Sequence, residues 1–382
     1  MMNKKKVLFV IDTLQGSGAE RSLVEIAQHF KRYTPVFAHV YEGNMMVPVL
    51  EKAGIKAYSL NIPMEKNFGL AAKKLGEVYE KEQPDLIHST LFKSDLITRR
   101  LKSKYKIPLI SSYVNNNYNP LRFENLNFVQ SLKMRLVQLY DAVSSRKVDF
   151  FISNSETIKE AKAKSTLVNK DKVKVIFRGR DVQKFQTDFD PQKLDALKKS
   201  LNVLNKKVLL NVSRLLERKG QMDMIDALPE IIKVHPDIVL LIAGHGNYET
   251  KLNRRIKELG LENYVQLLGR RQDVPDLLKI ADLFVYPSYF EGLPGSLIEA
   301  MLAEKLIVCS DIPENQECVD TETAIFFGRG NVEELTEKVL DSLENQEELK
   351  SLGRKARVVA IQKFDIHNIA REYETTYDEV LS

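Results

Sequence analysis

The sequence predicts an α/β fold of two doubly wound, Rossmann-like domains facing a central cleft, and three observations carry that expectation. Short β-branched runs alternate with longer amphipathic stretches from Val7 to Ser153, the βαβ signature of a parallel sheet. The same alternation restarts after residue 205. Between the two series lies Asp181 to Asn205, whose Gln, Asp and Lys content and Pro191 mark a boundary more than a core element. The expected division is a first domain over 1–185, a linker over 186–205, a second domain over 206–363 and a C-terminal helix over 364–382.

In the first domain the strands are read at Val7 to Ile11, Ile55 to Leu60, Leu86 to His88, Pro108 to Ser112 and Phe150 to Ser153. In the second they are read at Val208 to Val212, Ile238 to Ala243, Val265 to Leu268, Leu283 to Tyr286 and Ile307 to Cys309. One helix opens at about Ala19, one contains Met222 to Leu228, and one starts in the loop carrying Gly292, Pro294 and Gly295. Leu126 to Val143 repeats apolar residues at roughly helical spacing around Lys133 and Arg135, followed by Arg146 and Lys147. Core packing on the first sheet is the favoured reading of that segment, and an amphipathic face for an anionic membrane is the other. Ile366 to Leu381 reads as a second long helix.

With 382 residues, 43% hydrophobic and 29% charged, the chain can bury one large core or two ordinary ones, which excludes a disordered chain or a small disulfide-stapled scaffold. Cys309 and Cys318 are its only cysteines, and no CxxC or Cys/His cluster offers a zinc site, so a reducing cytoplasm fits. The apolar run from Val7 ends at Asp12, well short of a signal h-region, and no stretch has the length of a membrane span. The expectation is a cytoplasmic chain, soluble or peripheral at the inner face of a membrane, with no nucleic-acid partner. The net charge of +5 conceals +12 over residues 1–190 and −7 over 191–382. Either the first half faces something anionic, such as a phospholipid surface or a phosphorylated acceptor, or it carries a solvated Lys-rich surface.

The turn after the first strand, Gly16-Ser17-Gly18-Ala19-Glu20-Arg21, lacks the third glycine of a dinucleotide fingerprint, which disfavours a nicotinamide enzyme. Its free N–H groups could face a phosphate or a sugar hydroxyl, and a plain strand-to-helix turn explains the same residues. In the second half, Arg214 and Lys219 flank the mouth of the sheet after Val208 to Val212. A guanidinium and an ammonium at that spacing can clamp a diphosphate, one by directional hydrogen bonds and the other as a point charge. The sharper signal is Phe290-Glu291-Gly292-Leu293-Pro294-Gly295-Ser296-Leu297-Ile298-Glu299, a loop running into a helix start. One carboxylate can accept from a ribose diol and the other from sugar hydroxyls, with backbone N–H groups between them for phosphate. Asp188-Phe189-Asp190 imitates a metal-binding DxD, but no other ligand lies nearby in sequence and no metal is expected. His88 reads as a strand-end histidine satisfied by backbone, and His245 as a residue shaping a nucleotide pocket.

With their flanks, these motifs resemble the retaining GT-B glycosyltransferases of glycosyltransferase family 4. The matching pieces are Gly16-Ser17-Gly18-Ala19-Glu20, the Arg214 and Lys219 pair, Gly244-His245-Gly246, Leu268-Gly269 with Arg270 after it, Pro287-Ser288 and the Glu291-x7-Glu299 motif. The resemblance implies that Arg214 and Lys219 neutralise the diphosphate of a sugar nucleotide, with UDP as the first expectation. It implies that Glu291 meets the transferred sugar, that Glu299 binds the ribose, and that Gly244, Gly246, Arg270, Gly292, Leu293, Pro294, Gly295 and Ser296 line the donor. Gly16, Ser17 and Gly18 match the loop that approaches the donor from the acceptor domain, and the C-terminal helix matches one that crosses back onto the first domain. The resemblance further implies transfer of a hexose or N-acetylhexosamine to a glycan or lipid-linked acceptor in cell-surface polysaccharide assembly, with configuration retained and no metal. The sequence departs from the pattern at Ser111-Ser112-Tyr113-Val114-Asn115, where many relatives carry a histidine, making Asn115 a candidate on the acceptor side. It departs again at Ser17-Gly18, where Gly-Gly is usual, and in the segment Arg178-Gly179-Arg180-Asp181, which has arginine where relatives often carry asparagine. Two alternatives stay open: a catalytically silent binding or accessory protein of this fold, and a sugar-nucleotide epimerase or hydrolase.

Overall fold

The computed structural model describes residues 4–63, 67–124, 126–185 and 190–382. The chain forms two compact units, one of residues 1–180 with 364–382 and the other of 181–363. The first holds a seven-stranded sheet: β1 (Lys5–Ile11), β2 (Tyr33–His39), β3 (Lys56–Ser59), β4 (Leu86–Thr90), β5 (Leu109–Tyr113), β6 (Phe150–Ser153) and β7 (Val173–Val175), in the order β3-β2-β1-β4-β5-β6-β7. The second holds six: β8 (Lys207–Val212), β9 (Ile238–Ala243), β10 (Val265–Leu267), β11 (Leu283–Tyr286), β12 (Ile307–Ser310) and β13 (Ile325–Phe327), in the order β10-β9-β8-β11-β12-β13. Among the described residues every pairing between these strands is parallel. Helices cover both faces, so central strands such as β1 and β9 are apolar along their whole buried length.

Three strands, β2, β7 and β13, were not legible as strands. Pro35 interrupts the apolar pattern of β2, yet it stands one residue before the β2–β3 ladder begins at Val36, where its missing N–H is not needed. The other two are three-residue edge strands, too short to show a period. The stretch expected as linker differs as well. Residues 186–189 lie outside the described residues, and with them most of Asp188-Phe189-Asp190, but Pro191–Ser200 is a helix. Asp190 caps it by accepting from the Gln192 N–H at 2.9 Å, and Pro191 fills its first turn. An Asp-Pro pair that reads as a break is here a helix start.

Helix Phe128–Ser145 corrects the expectation of core packing. Only Asp141, Ala142 and Ser145 of it are buried, while Phe128, Leu132, Leu136, Leu139 and Tyr140 are exposed. The helix turns its polar side inward because Asp141 is claimed from three directions. It accepts from Arg99 Nη1 at 2.7 Å, Lys162 Nζ at 3.1 Å and the Tyr118 hydroxyl at 2.9 Å. Gln138 adds a bond from Nε2 to the Ser165 carbonyl at 3.0 Å.

The C-terminal helix Ile366–Leu381 packs within the first unit, beside the helix Gly18–Ala27 that follows β1. Its buried Glu374 accepts from three successive backbone N–H groups at the start of β2, those of Lys31, Arg32 and Tyr33, at 2.8, 2.6 and 3.1 Å. Tyr373 and Tyr377 of the same helix enclose His88. His88 is fully buried and is satisfied by side chains, with Nδ1 2.7 Å from the Tyr377 hydroxyl and Nε2 2.7 Å from Ser112 Oγ. Burial drives its pKa down from 6.5 to about 3. The unfolded chain takes a proton at this residue below about pH 6.5 and the native chain does not until about pH 3, so stability falls as pH drops through that window. His88→Gln is expected to flatten the slope by up to about 1.4 kcal/mol per pH unit. Urea midpoints of both proteins between pH 7 and pH 4 check this; parallel pH profiles would refute it.

Candidate functional site

Each sheet reverses its strand order once, between β1 and β4 in the first unit and between β8 and β11 in the second. Loops leaving the carboxyl ends of such strand pairs diverge and open a crevice. In the second unit those loops deliver Lys219, after β8, and Glu291, after β11, onto each other. The buried Lys219 ammonium donates to Glu291 Oε1, and the Tyr286 hydroxyl donates to the same oxygen at 2.7 Å while lying 3.2 Å from Lys219 Nζ. Arg218 approaches the other carboxylate oxygen at 3.5 Å, donates to the Phe290 carbonyl at 2.7 Å and stacks on the Phe290 ring. Burial alone would raise the Glu291 pKa, but Lys219 and then Arg218 outweigh it and hold the carboxyl at about 2. Two cations and one carboxylate leave this cluster positive at neutral pH. Tyr286, buried against the carboxylate, is pushed well above its ordinary value and stays a hydrogen-bond donor.

Glycines let the loops touch. Gly220 adopts φ +68°, and a Cβ there would lie 2.0 Å from the Pro287 carbonyl oxygen, so any side chain would separate the β8 and β11 loops. A Cβ on Gly244 would meet the Ser213 carbonyl at 1.8 Å, and one on Gly246 the Leu215 carbonyl at 2.1 Å. Both residues were expected to line the donor, and what the structure shows of them is a packing role. The Leu215 N–H donates to the His245 carbonyl at 3.0 Å, and the Gly244 N–H to that of Gly269 at 2.8 Å, which ties together the loops after β8, β9 and β10. His245 has its pKa lowered by burial and then by the nearby charges of Arg270 and Arg214, so both guanidiniums share its neighbourhood. Arg214 and Arg270 are exposed at the mouth.

Gly292, Leu293 and Pro294 complete the loop after β11, and the helix Gly295–Leu302 begins behind Pro294. The first N–H groups of a helix have no intrahelical partner, which makes those of Gly295 and Ser296 available to an anion. The Ser296 side chain bonds the Tyr286 phenol. Glu299 is buried one turn into the helix, 3% exposed. Tyr286 and Arg218 escaped the sequence reading. The tyrosine passes for the last residue of an apolar strand, and the arginine for part of a solvated charge run; the 67-residue separation of Tyr286 from Lys219 hides their contact.

In the first unit, Gly16 takes φ +81° and Ser17 caps the helix Gly18–Ala27. The Ser17 N–H donates to buried Glu20 Oε2 at 2.7 Å, and the other carboxylate oxygen accepts from Thr13. A Cβ on Gly18 would lie 3.1 Å from Arg178 Nη1. Next to this turn, a small cavity is lined by Ser22, Thr90, Ser112, Asn154, Arg178 and Tyr373, among others. Among the described residues, Ser22 Oγ, Thr90 Oγ1 and Asn154 Oδ1 are buried there without hydrogen-bond partners, a donor and acceptor set suited to a hydroxyl-bearing ligand. Asn115 follows β5 and is not among the lining residues. Among the described residues, no three His, Cys, Asp or Glu side chains converge to hold a metal ion.

Residues 193–359 match the model of the family described as Glycosyl transferases group 1, and residues 16–184 match that of Glycosyltransferase Family 4. A Campylobacter jejuni relative named N,N'-diacetylbacillosaminyl-diphospho-undecaprenol alpha-1,3-N-acetylgalactosaminyltransferase is 28% identical over 332 residues, covering 83% of this chain and 81% of that protein. The Staphylococcus aureus capsular polysaccharide biosynthesis glycosyltransferase CapH is 25% identical, covering 82% and 83%. The fold is similar to the crystal structure of Anabaena Alr3699/HepE in complex with UDP and glucose, with TM-score 0.86, 24% identity and coverage of 98% and 100%. With two parallel Rossmann-like sheets and both family matches in order along the sequence, the chain belongs to family 4 of the GT-B glycosyltransferases, enzymes of glycan or glycolipid biosynthesis.

Proposed function

We propose that this glycosyltransferase moves a hexose or N-acetylhexosamine from a UDP-sugar to a glycan or lipid-linked acceptor at the cytoplasmic face of an anionic membrane, with retention of configuration and without a metal. The observation that carries the donor reading is the positive cluster at the β8–β11 crossover, where Lys219 is held by Glu291 and Tyr286 beside Arg218. There, Lys219 and Arg214 take the diphosphate, supported by Arg270 and the N–H groups of Gly295 and Ser296. Their charge stabilises the departing nucleoside diphosphate in place of a cation. Glu299 takes the ribose and Glu291 the transferred sugar. The acceptor oxygen bonds to the anomeric carbon on the face that the phosphate leaves. The bond from that carbon to the phosphate oxygen breaks, and the acceptor's proton passes to the departing phosphate. Support for a uridine nucleotide comes from the UDP named with the Anabaena structure, and for a lipid-linked acceptor from the name of the Campylobacter relative.

A thermal-shift comparison of UDP, GDP, ADP and dTDP, each run once with EDTA and once with excess magnesium, tests the reading. UDP at a thousand times its dissociation constant is expected to stabilise by about 4 kcal/mol. Arg214→Ala, at an exposed position where the fold loses little, is expected to abolish most of the shift. A shift with another nucleotide alone would replace the base, and a shift that needs a divalent metal would replace the charge-compensation scheme. Silence with all four would remove the donor site.

A further inference from the structure

Helix Phe128–Ser145 is amphipathic the wrong way round for a globular protein. Its inward side carries Asp141, Gln138 and Ser145, and its outward side carries Phe128, Leu132, Leu136, Leu139, Tyr140 and Val143, between 48% (Leu132) and 83% (Phe128) exposed. At about 100° per residue these six share an arc of about 120°. Lys133 and Arg135 stand just beyond its two edges, and Arg146 and Lys147 follow the last turn. Arg135 is steadied over the Phe123 ring at 5.7 Å. The one acid in the helix is Asp141, which is buried. Rolling the stripe inward would tear Asp141 from Arg99, Lys162 and Tyr118, so the apolar face is committed to the outside.

We propose that this stripe is a docking surface for an anionic lipid bilayer, with the helix lying in the interface plane. An apolar arc rimmed by cations and free of exposed acid matches acyl chains beneath anionic headgroups. Phe128 and Tyr140 add rings that favour the headgroup level. The excess of cations over the first 190 residues, net +12, has the sign that draws the same surface to anionic lipid. A second copy seated on the same stripe would bring the rim cations of both copies together, so charge favours lipid over self-association. The inference deepens the reading of a lipid-linked acceptor, and it is read out without donor or acceptor, so either can fail alone.

The chain contains no tryptophan, so Phe128→Trp provides a single reporter. Its emission is expected to shift to the blue with vesicles of equal parts phosphatidylglycerol and phosphatidylcholine, and to stay unchanged with phosphatidylcholine alone. In sedimentation, full-length wild type is expected to follow the anionic vesicles and to be released by rising salt. Lys133→Gln and Arg135→Gln should each weaken binding by about fivefold. Replacing Leu132, Leu136 and Leu139 together by Gln should weaken it by at least about tenfold. These side chains are exposed, and an unchanged circular dichroism melt confirms that the fold survives. Absence of binding by wild type, equal binding by the triple variant, or a solution dimer that the triple variant abolishes would each overturn the proposal.

Discussion

Asp141→Ala is expected to destabilise the first unit by about 3–5 kcal/mol, a large loss for one surface-helix residue. The carboxylate is 1% exposed, and its partners Arg99 and Lys162 are 2% and 5% exposed. Burial works against its charge, but Lys162 and Arg99 outweigh burial and hold its pKa below the usual range. Removing it leaves two buried cations with Asp95, whose nearest approach to Arg99 is 3.8 Å, and strands the Tyr118 hydroxyl. Asp95 is a poor substitute because burial raises its own pKa to about 6. Asp141→Asn keeps the shape and loses the charge, so it should cost nearly as much. Adding Lys162→Met to Asp141→Asn removes one stranded cation and should recover part of the loss. Because two compact units need not unfold together, hydrogen exchange of the helix Phe128–Ser145 across a urea series is the appropriate measurement. A change below about 1 kcal/mol would show that the network is solvated in solution.

The second large effect is expected at Lys219. Lys219→Met should lower the transfer rate by about 100- to 1000-fold, the scale seen when one preorganised charge-stabilising donor is removed. It should also destabilise the second unit, because Glu291 stays buried with Arg218 3.5 Å away. A carboxyl lowered from 4.5 to about 2 contributes stability that is complete above pH 4.5 and is lost as pH falls through 2. That shift corresponds to about 3 kcal/mol at neutral pH, and Lys219 is the first of the groups that lower the pKa, ahead of Arg218. The double variant Lys219→Met with Glu291→Gln should therefore be more stable than Lys219→Met alone, while its transfer rate stays low. A double-mutant cycle on urea midpoints separates the two effects. Additive stabilities would mean that the pair does not couple, and full transfer activity in Lys219→Met would remove the lysine from the site.

Much of the architecture was legible because parallel strands covered on both faces are short apolar runs. Val7 to Ile11, Phe150 to Ser153, Ile238 to Ala243 and Leu283 to Tyr286 lie within the strands observed. Pro35 and the brevity of the two edge strands hid the others, for local reasons. At the site, the residue types and their order along the chain were readable. Which charges are paired was not. Arg214 and Lys219 looked alike as a cationic pair, yet one is exposed and the other is buried against a carboxylate 72 residues away.

The sequence by itself determined the βα alternation, the loop of Gly292, Pro294 and Gly295 that opens a helix, and the helical period of Phe128–Ser145. All of these are set by neighbours within a few residues. Tertiary structure alone decided that Lys219 meets Glu291 and Tyr286, and that the helix presents its apolar side outward. The first follows from placing β8 beside β11, which is a matter of strand order. The second follows because three polar groups from elsewhere in the first unit converge on Asp141. A hydrophobic period gives the width of an apolar face, whereas its direction depends on the buried polar partners that anchor the opposite side.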